Sequence, residues 1–222
     1  GVRLFKRCSK GMTILNDTTT RVEPVTLIGK RAKLVPMERS HAPALYEAGQ
    51  SPEIWRYMPA RMICLDDMRD FVETAVSARE QGTEEPFMII DQVSGKVAGT
   101  TRFLDISIPH RNLEIGFTWL SPETWRTRIN TECKYLLLRH VFEMLKFIRV
   151  QFKTDLRNVR SQKAIERLGA VKEGVLRGHR IMPDGYIRDS VYYGILVGEW
   201  PEVKARLEGF LESRPESGIK TP

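Results

Sequence analysis

The sequence lacks any apolar run near the ~18 residues that a bilayer-spanning helix needs, and it is poor in cysteine. Its three cysteines, Cys8, Cys64 and Cys133, are odd in number and far apart. Neither a disulfide framework nor a C-x-x-C zinc knuckle is therefore supported, and the expected compartment is the reducing cytoplasm. No H-E-x-x-H, Walker A or G-x-G-x-x-G motif occurs, which leaves metal and ATP chemistry without a footing. No repeat at solenoid periods and no low-complexity tract is present. The opening "GVRLFKRCSKGMTILNDTTT" has basic residues but no apolar h-region, so it makes a poor secretory signal.

What the chain does contain is ordinary for a globular protein: 41% hydrophobic and 28% charged residues over 222 positions, enough to close a core without staples. Residues 1–24 are expected to be a tag or a disordered leader, 25–213 a single domain, and 214–222 a C-terminal tail. The formal net charge of +7 favours anionic partners, among them nucleic acid, lipid headgroups and phosphorylated cofactors. The basic residues are spread along the chain rather than gathered in a block, so bulk charge leaves the partner open.

Hydrophobic periodicity orders the elements. "AKLVPM" is strand-like, and residues 41–50 form a short helical pattern. In "DDMRDFVETAVSAREQG", Met68, Phe71, Val72, Ala75 and Val76 follow helical spacing, with Asp66 or Asp67 as cap and Gly82 as stop. The period then becomes two. "PFMIID" and "GKVAGTTRFLDI" make a hairpin through "QVSG", and "NLEIGFTWL" follows as a further strand. A long helix is predicted over 131–147, with Tyr135, Leu138, Val141, Phe142 and Leu145 on one face. After it come the strand "RVQFKTD", a short helix, a hairpin turning at "PDG", and the amphipathic "EWPEVKARLEGFLES". The order β-α-α-β-β-β-α-β-α-β-β-α predicts an α+β fold, a three-layer α/β/α sandwich around a mixed, largely antiparallel sheet.

Two strand-loop-helix units stand out. In "GFTWLSPETWRTRINTECKYLLL" the helix is predicted to begin near Asn130, with Arg126 and Arg128 in the loop before it. Orphan N–H groups, the helix dipole and two guanidiniums suit an anion there. The plainer reading is an Asn-capped helix with solvated arginines. In "NVRSQKAIERLGA", Asn158 suits the N-cap, Ser161 is N3, Gly169 the left-handed C-cap, and Ala164, Ile165 and Leu168 the buried stripe. As structure the segment explains itself; its functional reading is that Asn158 and Ser161 face whatever lies between the two strands. Cys133 has no histidine at a suggestive spacing and reads as a packed thiol.

The run "NVRSQKAIERLGAVKEGVLR" together with "GYIRDSVYYGILVGEWP" resembles the GNAT superfamily of acetyl-CoA-dependent N-acetyltransferases, and within it the ribosomal-protein N-terminal (alanine/serine) acetyltransferase-like branch. The likeness covers about 27–211 and is specific from Leu113 onward. It implies a sheet splayed between the strands at 113–120 and 149–154, with acetyl-CoA in the opening. By the resemblance, Phe117, Trp119 and Leu120 line its pantetheine, and Trp125, Arg126, Thr127, Arg128, Ile129, Asn130 and Thr131 hold its pyrophosphate. Asn158 and Ser161 close the cofactor set. The family's phosphate loop is commonly Gln/Arg-x-x-Gly-x-Gly/Ala. Here it reads "WRTRIN", so Arg128 and Asn130 stand where small residues are usual; Arg128 either turns onto a phosphate or crowds the cradle.

Transfer to an amine needs a base to keep that amine neutral and donors where the carbonyl oxygen becomes anionic. The resemblance assigns Ser161 to the leaving sulfur. Glu114 is the first choice for the base, Glu173 the second, and His179 a third. The leading function is thus N-acetylation of a primary amine, a protein N-terminus or a small molecule, by direct attack. The alternatives are a GNAT-shaped module that holds CoA without turnover, and a ribosome- or nucleic-acid-associated module. Against nucleic acid, aromatic and basic residues are not interleaved on a platform. A homodimer through the C-terminal strands is an expectation from the resemblance alone.

Overall fold

A computed structural model describes residues 21–213. Eight strands form one sheet in the order β1-β2-β3-β4-β5-β6-β8-β7. The chain runs through β1 (Leu27–Ile28), β2 (Ala32–Pro36), α1 (Ala42–Ala48), α2 (Pro52–Trp55), α3 (Leu65–Glu80), β3 (Glu85–Asp91) and β4 (Val97–Ser107). It continues through β5 (Asn112–Leu120), α4 (Ile129–Arg139), β6 (Arg149–Asp155), α5 (Val159–Leu168), β7 (Val171–Ile181), β8 (Ile187–Leu196) and α6 (Trp200–Glu212). β1 and α2 are additions to the expected order. Both are too short to leave a periodic signal.

Strand alternation sorts the side chains into two cores. Phe87, Ile89, Val150, Phe152, Val191 and Tyr193 lie with α4, α5 and α6 on one face. Met88, Ile90, Phe117 and Trp119 lie with α1, α2 and α3 on the other. The result is the expected three-layer sandwich, antiparallel except where β5 meets β6. Val22 is buried in the first core, so packing begins before the boundary expected at Val25. Residues 1–20 of the expected leader, and the tail at 214–222, lie outside the described residues.

Local chemistry explains several element ends. The α3 start is corrected: Cys64, not Asp66 or Asp67, is the N-cap, and Asp67 accepts the N–H groups of Ile63 and Cys64 at 2.7 and 3.0 Å. Gly185, at φ 83°, makes the β7–β8 turn. The long helix is corrected too. It begins at Ile129 with Arg128 as N-cap, placing Asn130 inside the first turn, and passes into a π-turn over His140–Met144. There the Leu145 N–H bonds the His140 carbonyl at 3.0 Å, widening the helix before β6.

Glu132 fixes the first turn of α4 to the sheet edge. Its buried carboxylate accepts the backbone N–H groups of Lys30 and Arg31 at 2.8 Å each, and that of Ala32. A Cβ on Gly29 would come within 2.4 Å of that carboxylate, which is why the turn between β1 and β2 needs a glycine.

Candidate functional site

β5 and β6 run parallel and pair only over Asn112–Glu114 and Arg149–Gln151. Beyond Glu114 they separate, leaving the β5 edge from Ile115 onward unpaired on that side. A bulge helps. Thr100 opposes Trp119 while Arg102 opposes Gly116, with Phe117 at φ 46°, so an extra β5 residue bends the strand away from its neighbour. The Arg102 guanidinium holds the bulge, lying 4.3 Å from the Phe71 ring centroid and 4.5 Å from that of Phe117.

The parting opens a cleft of about 720 Å³. Phe117, Trp119, Leu120, Trp125, Arg126, Thr127, Asn130, Thr131, Asn158 and Ser161 all line it, as does Glu114. Arg128 and Ile129 do not line it. Ile129 is fully buried in the core, and its N–H is taken by the Thr127 hydroxyl at 3.3 Å. The Arg128 side chain does not line the cleft; one of its guanidinium nitrogens is buried without a partner.

At the mouth, Arg126 adopts φ 62°, a left-handed conformation that non-glycine residues take uncommonly. Arg160 stacks 4.3 Å from the Trp125 ring centroid, joining the α5 start to the loop before α4. Arg167 donates to the Thr131 hydroxyl at 2.7 Å. Three arginines and the orphan N–H groups of the first α4 turn can hold a pyrophosphate. Inside, the unpaired β5 edge can pair with an extended amide chain as an added strand would.

At the α5 start, Asn158 caps the helix by accepting the Ser161 N–H at 3.0 Å, which leaves its amide nitrogen free to donate. The Ser161 hydroxyl has no partner among the described residues, so both groups are available to a ligand.

Glu114 sits where the strands part. It is buried, ion-paired with Lys153 at 3.0 Å, and accepts from Gln151 at 3.0 Å. Burial raises its pKa above the usual carboxylate value, with Lys153 opposing. Its side chain folds over Gly116, where a Cβ would lie 2.9 Å from a Glu114 oxygen.

Glu173 is brought elsewhere. It lies outside the cleft lining in a bidentate pair with Arg149, which holds its pKa below the ordinary value. His179 is likewise engaged, with Ser190 at 2.9 Å and Tyr192 at 3.3 Å. Cys133 is fully buried, and desolvation pushes its thiol up to about 12, which fits a packed thiol.

Sequence reasoning missed Lys134, Lys153, Arg180 and Arg188, all of which line the cleft. Lys134 donates to the Thr118 hydroxyl at 2.7 Å, and burial pushes its ammonium down to about 8. The available signal was its position three residues after Thr131, one turn along the same helix face.

A family model described as an acetyltransferase (GNAT) domain matches residues 31–171. The Bacillus licheniformis protein described as uncharacterized N-acetyltransferase p20 is 27% identical over 79% of this chain and 98% of its own. A T. thermophilus structure provisionally described as an acetyltransferase is 40% identical, with TM-score 0.78 over 86% of this chain and 98% of that one. Mycobacterium smegmatis RimJ in complex with CoA-disulfide, 19% identical, has TM-score 0.74 over 84% of this chain and 95% of its own, a likeness of fold.

Proposed function

The chain belongs to the GNAT family of N-acetyltransferases, and from that premise we propose that it moves the acetyl group of acetyl-CoA onto a primary amine by direct attack. The amine is a protein N-terminus or a small molecule. The observation that carries the reading is the separation of β5 from β6 after Glu114, with Glu114, Asn158 and Ser161 on the walls of one opening. Acetyl-CoA bound there supplies a thioester whose carbonyl carbon an amine can attack.

Arg126, Arg160, Arg167 and the first turn of α4 take the phosphates. The β5 edge and the Asn158 amide take the pantetheine amides. Glu114 is the group that accepts the proton released from the attacking amine, directly or through water. Burial raises its pKa above the ordinary carboxylate value, which makes it a stronger base than an exposed carboxylate. The Ser161 hydroxyl donates toward the leaving sulfur; as a weak acid it stabilises developing charge rather than delivering a full proton. Glu173, held by Arg149, is not part of this set.

Self-association is also proposed. β7 is the edge strand and exposes Val171, Val175, Leu176 and Ile181, a surface that a second copy would cover. Light scattering after size exclusion reads the mass directly.

The test of the transferase reading is thiol release from acetyl-CoA over a panel of N-terminal peptides, aminoglycosides and polyamines. Turnover with at least one amine supports it. CoA binding with no release from any amine replaces it with a binding module.

A further inference from the structure

We propose that the acceptor is a peptide N-terminus with a carboxylate in its first few residues, and that Arg188 and Arg180 bind that carboxylate. The proposal rests on the transferase reading and names its substrate class.

Strand alternation places the relevant side chains together. Leu113 and Ile115 of β5, Val150 and Phe152 of β6, and Val191 and Tyr193 of β8 point into one core. Glu114, Lys153, Ser190 and Arg188 therefore occupy the opposite face, the one covered by α1, α2 and α3. The register continues this, with Lys153 opposite Tyr192 and Asp155 opposite Ser190. Arg188 and Arg180 are themselves opposite each other across β8 and β7, and both line the cleft with Glu114 and Lys153.

The charges on this wall do not balance. Arg188 is only 5% exposed, and among the described residues its one hydrogen bond runs from Nε to the Ser190 hydroxyl at 2.9 Å. Arg180 has no hydrogen bond or ion pair among the described residues. The two guanidiniums repel each other, and burial lowers the pKa of Arg188. Asp155 and Glu114 offset part of this charge through space, but neither is hydrogen-bonded to the guanidinium, and each is engaged elsewhere. Glu114 is held by Lys153 and Gln151, and Asp155 by Arg157, which contacts both of its oxygens at 3.1 and 2.9 Å. A buried guanidinium with no carboxylate directly hydrogen-bonded to it is costly. A carboxylate arriving with the ligand removes that cost, and the planar guanidinium fork fits it.

The cofactor's phosphates have their own cations at the other end, Arg126, Arg160 and Arg167. The spacing favours a peptide. From Tyr192, opposite Lys153, to Arg188 is about 13 Å of strand, less the reach of the arginine. An extended peptide covers ~3.3–3.6 Å per residue, so an amine near Glu114 puts an early acidic side chain, rather than its own α-carboxylate, at the arginines.

The experiment is calorimetry on CoA-saturated protein with N-acetylated product peptides, which reads the preference without turnover. One peptide has aspartate and glutamate after the first residue, a second has lysines there, and free N-acetylglutamate forms a third arm. The acidic peptide is expected to bind about tenfold or more tightly than the lysine peptide, the scale of one charge-assisted hydrogen bond. Arg180→Gln should abolish the difference and Arg180→Glu reverse it. Arg188→Gln should act like Arg180→Gln; the half-buried Arg180 keeps the test decisive if loss of Arg188 impairs folding. Equal binding of both peptides to the unmodified protein overturns the proposal, as does tighter binding of N-acetylglutamate than of the acidic peptide. It also fails if Arg180→Gln weakens CoA binding and leaves the peptide preference intact. Failure of thiol release from every amine would instead count against the transferase reading, whatever the peptides show.

Discussion

Glu114 and Gln151 are the last residues paired between β5 and β6, and the Gln151 amide donates to the Glu114 carboxylate at 3.0 Å. The same contact closes the parallel ladder and aims the proposed base at the point where the strands part. Position and chemistry are coupled there: the carboxylate is buried because it sits in the fork, and burial raises its pKa.

The first prediction concerns pH. Glu114 accepts a proton only when ionised, so kcat/KM should rise with pH through its raised pKa and level off above it. Glu114→Gln should lower kcat about 100-fold and remove that limb, with CoA affinity nearly unchanged. A pH–rate profile of the variant that keeps the limb would assign it to another group.

Ser161 and Asn158 should separate by parameter. Ser161→Ala keeps the backbone N–H that Asn158 caps, so it should lower turnover more than CoA affinity. Asn158→Ala removes the cap and a donor to the cleft together. It should cost about 1 kcal/mol of stability and weaken CoA binding. Thermal melts beside CoA titrations distinguish the two, and equal loss of turnover and affinity in Ser161→Ala would assign that residue to binding.

Most of the element order, the two strands at the opening and the α5 helix with its Asn158 and Gly169 caps were legible because each writes a local signal in period or capping chemistry. The cleft's cations were not. Lys153 lies in the alternating run "RVQFKTD", where any polar residue fits the pattern, and its ion pair depends on Glu114 from a distant strand. The side-chain placement of Arg128 and Ile129 was hidden for a related reason. With the helix starting at Ile129 rather than near Asn130, the Ile129 side chain packs in the core, and the loop's left-handed residue is Arg126 at φ 62°. A cap one or two residues early rotates every later side chain by 100° per residue, which no propensity resolves.

Away from the cleft, Glu85 should dominate the pH dependence of stability near neutrality. Both carboxylate oxygens are buried without a hydrogen-bond partner among the described residues, and desolvation raises the pKa from 4.5 to about 7. Between those values the folded state holds a proton that the unfolded state has released. Stability from this group is therefore full below pH 4.5 and is lost as pH rises to about 7, by roughly 2–3 kcal/mol. Glu85→Gln should flatten that slope and raise the melting temperature at pH 8. Denaturant titrations at pH 5.5 and 8 check both.

Lys134 should show stability and binding pulling apart. Its ammonium is buried in the cleft wall; among the described residues it donates to the Thr118 hydroxyl at 2.7 Å and has the Phe152 ring 5.9 Å away. Burial lowers its pKa from 10.5 to about 8, so the folded state releases its proton more readily than the unfolded one, and stability rises with pH between those values. Lys134→Met replaces the buried cation with an apolar chain of similar length. It should stabilise the free protein by about 1–3 kcal/mol, the range for exchanging buried charge for packed hydrocarbon. The anionic cofactor would lose a cation in its cleft, so CoA affinity should fall. Proton uptake on CoA binding near pH 8, measured by calorimetry in buffers of different ionisation enthalpy, should disappear in the variant. If affinity and proton uptake are unchanged while stability rises, Lys134 is a packing residue, and the cleft's positive charge is supplied by its arginines alone.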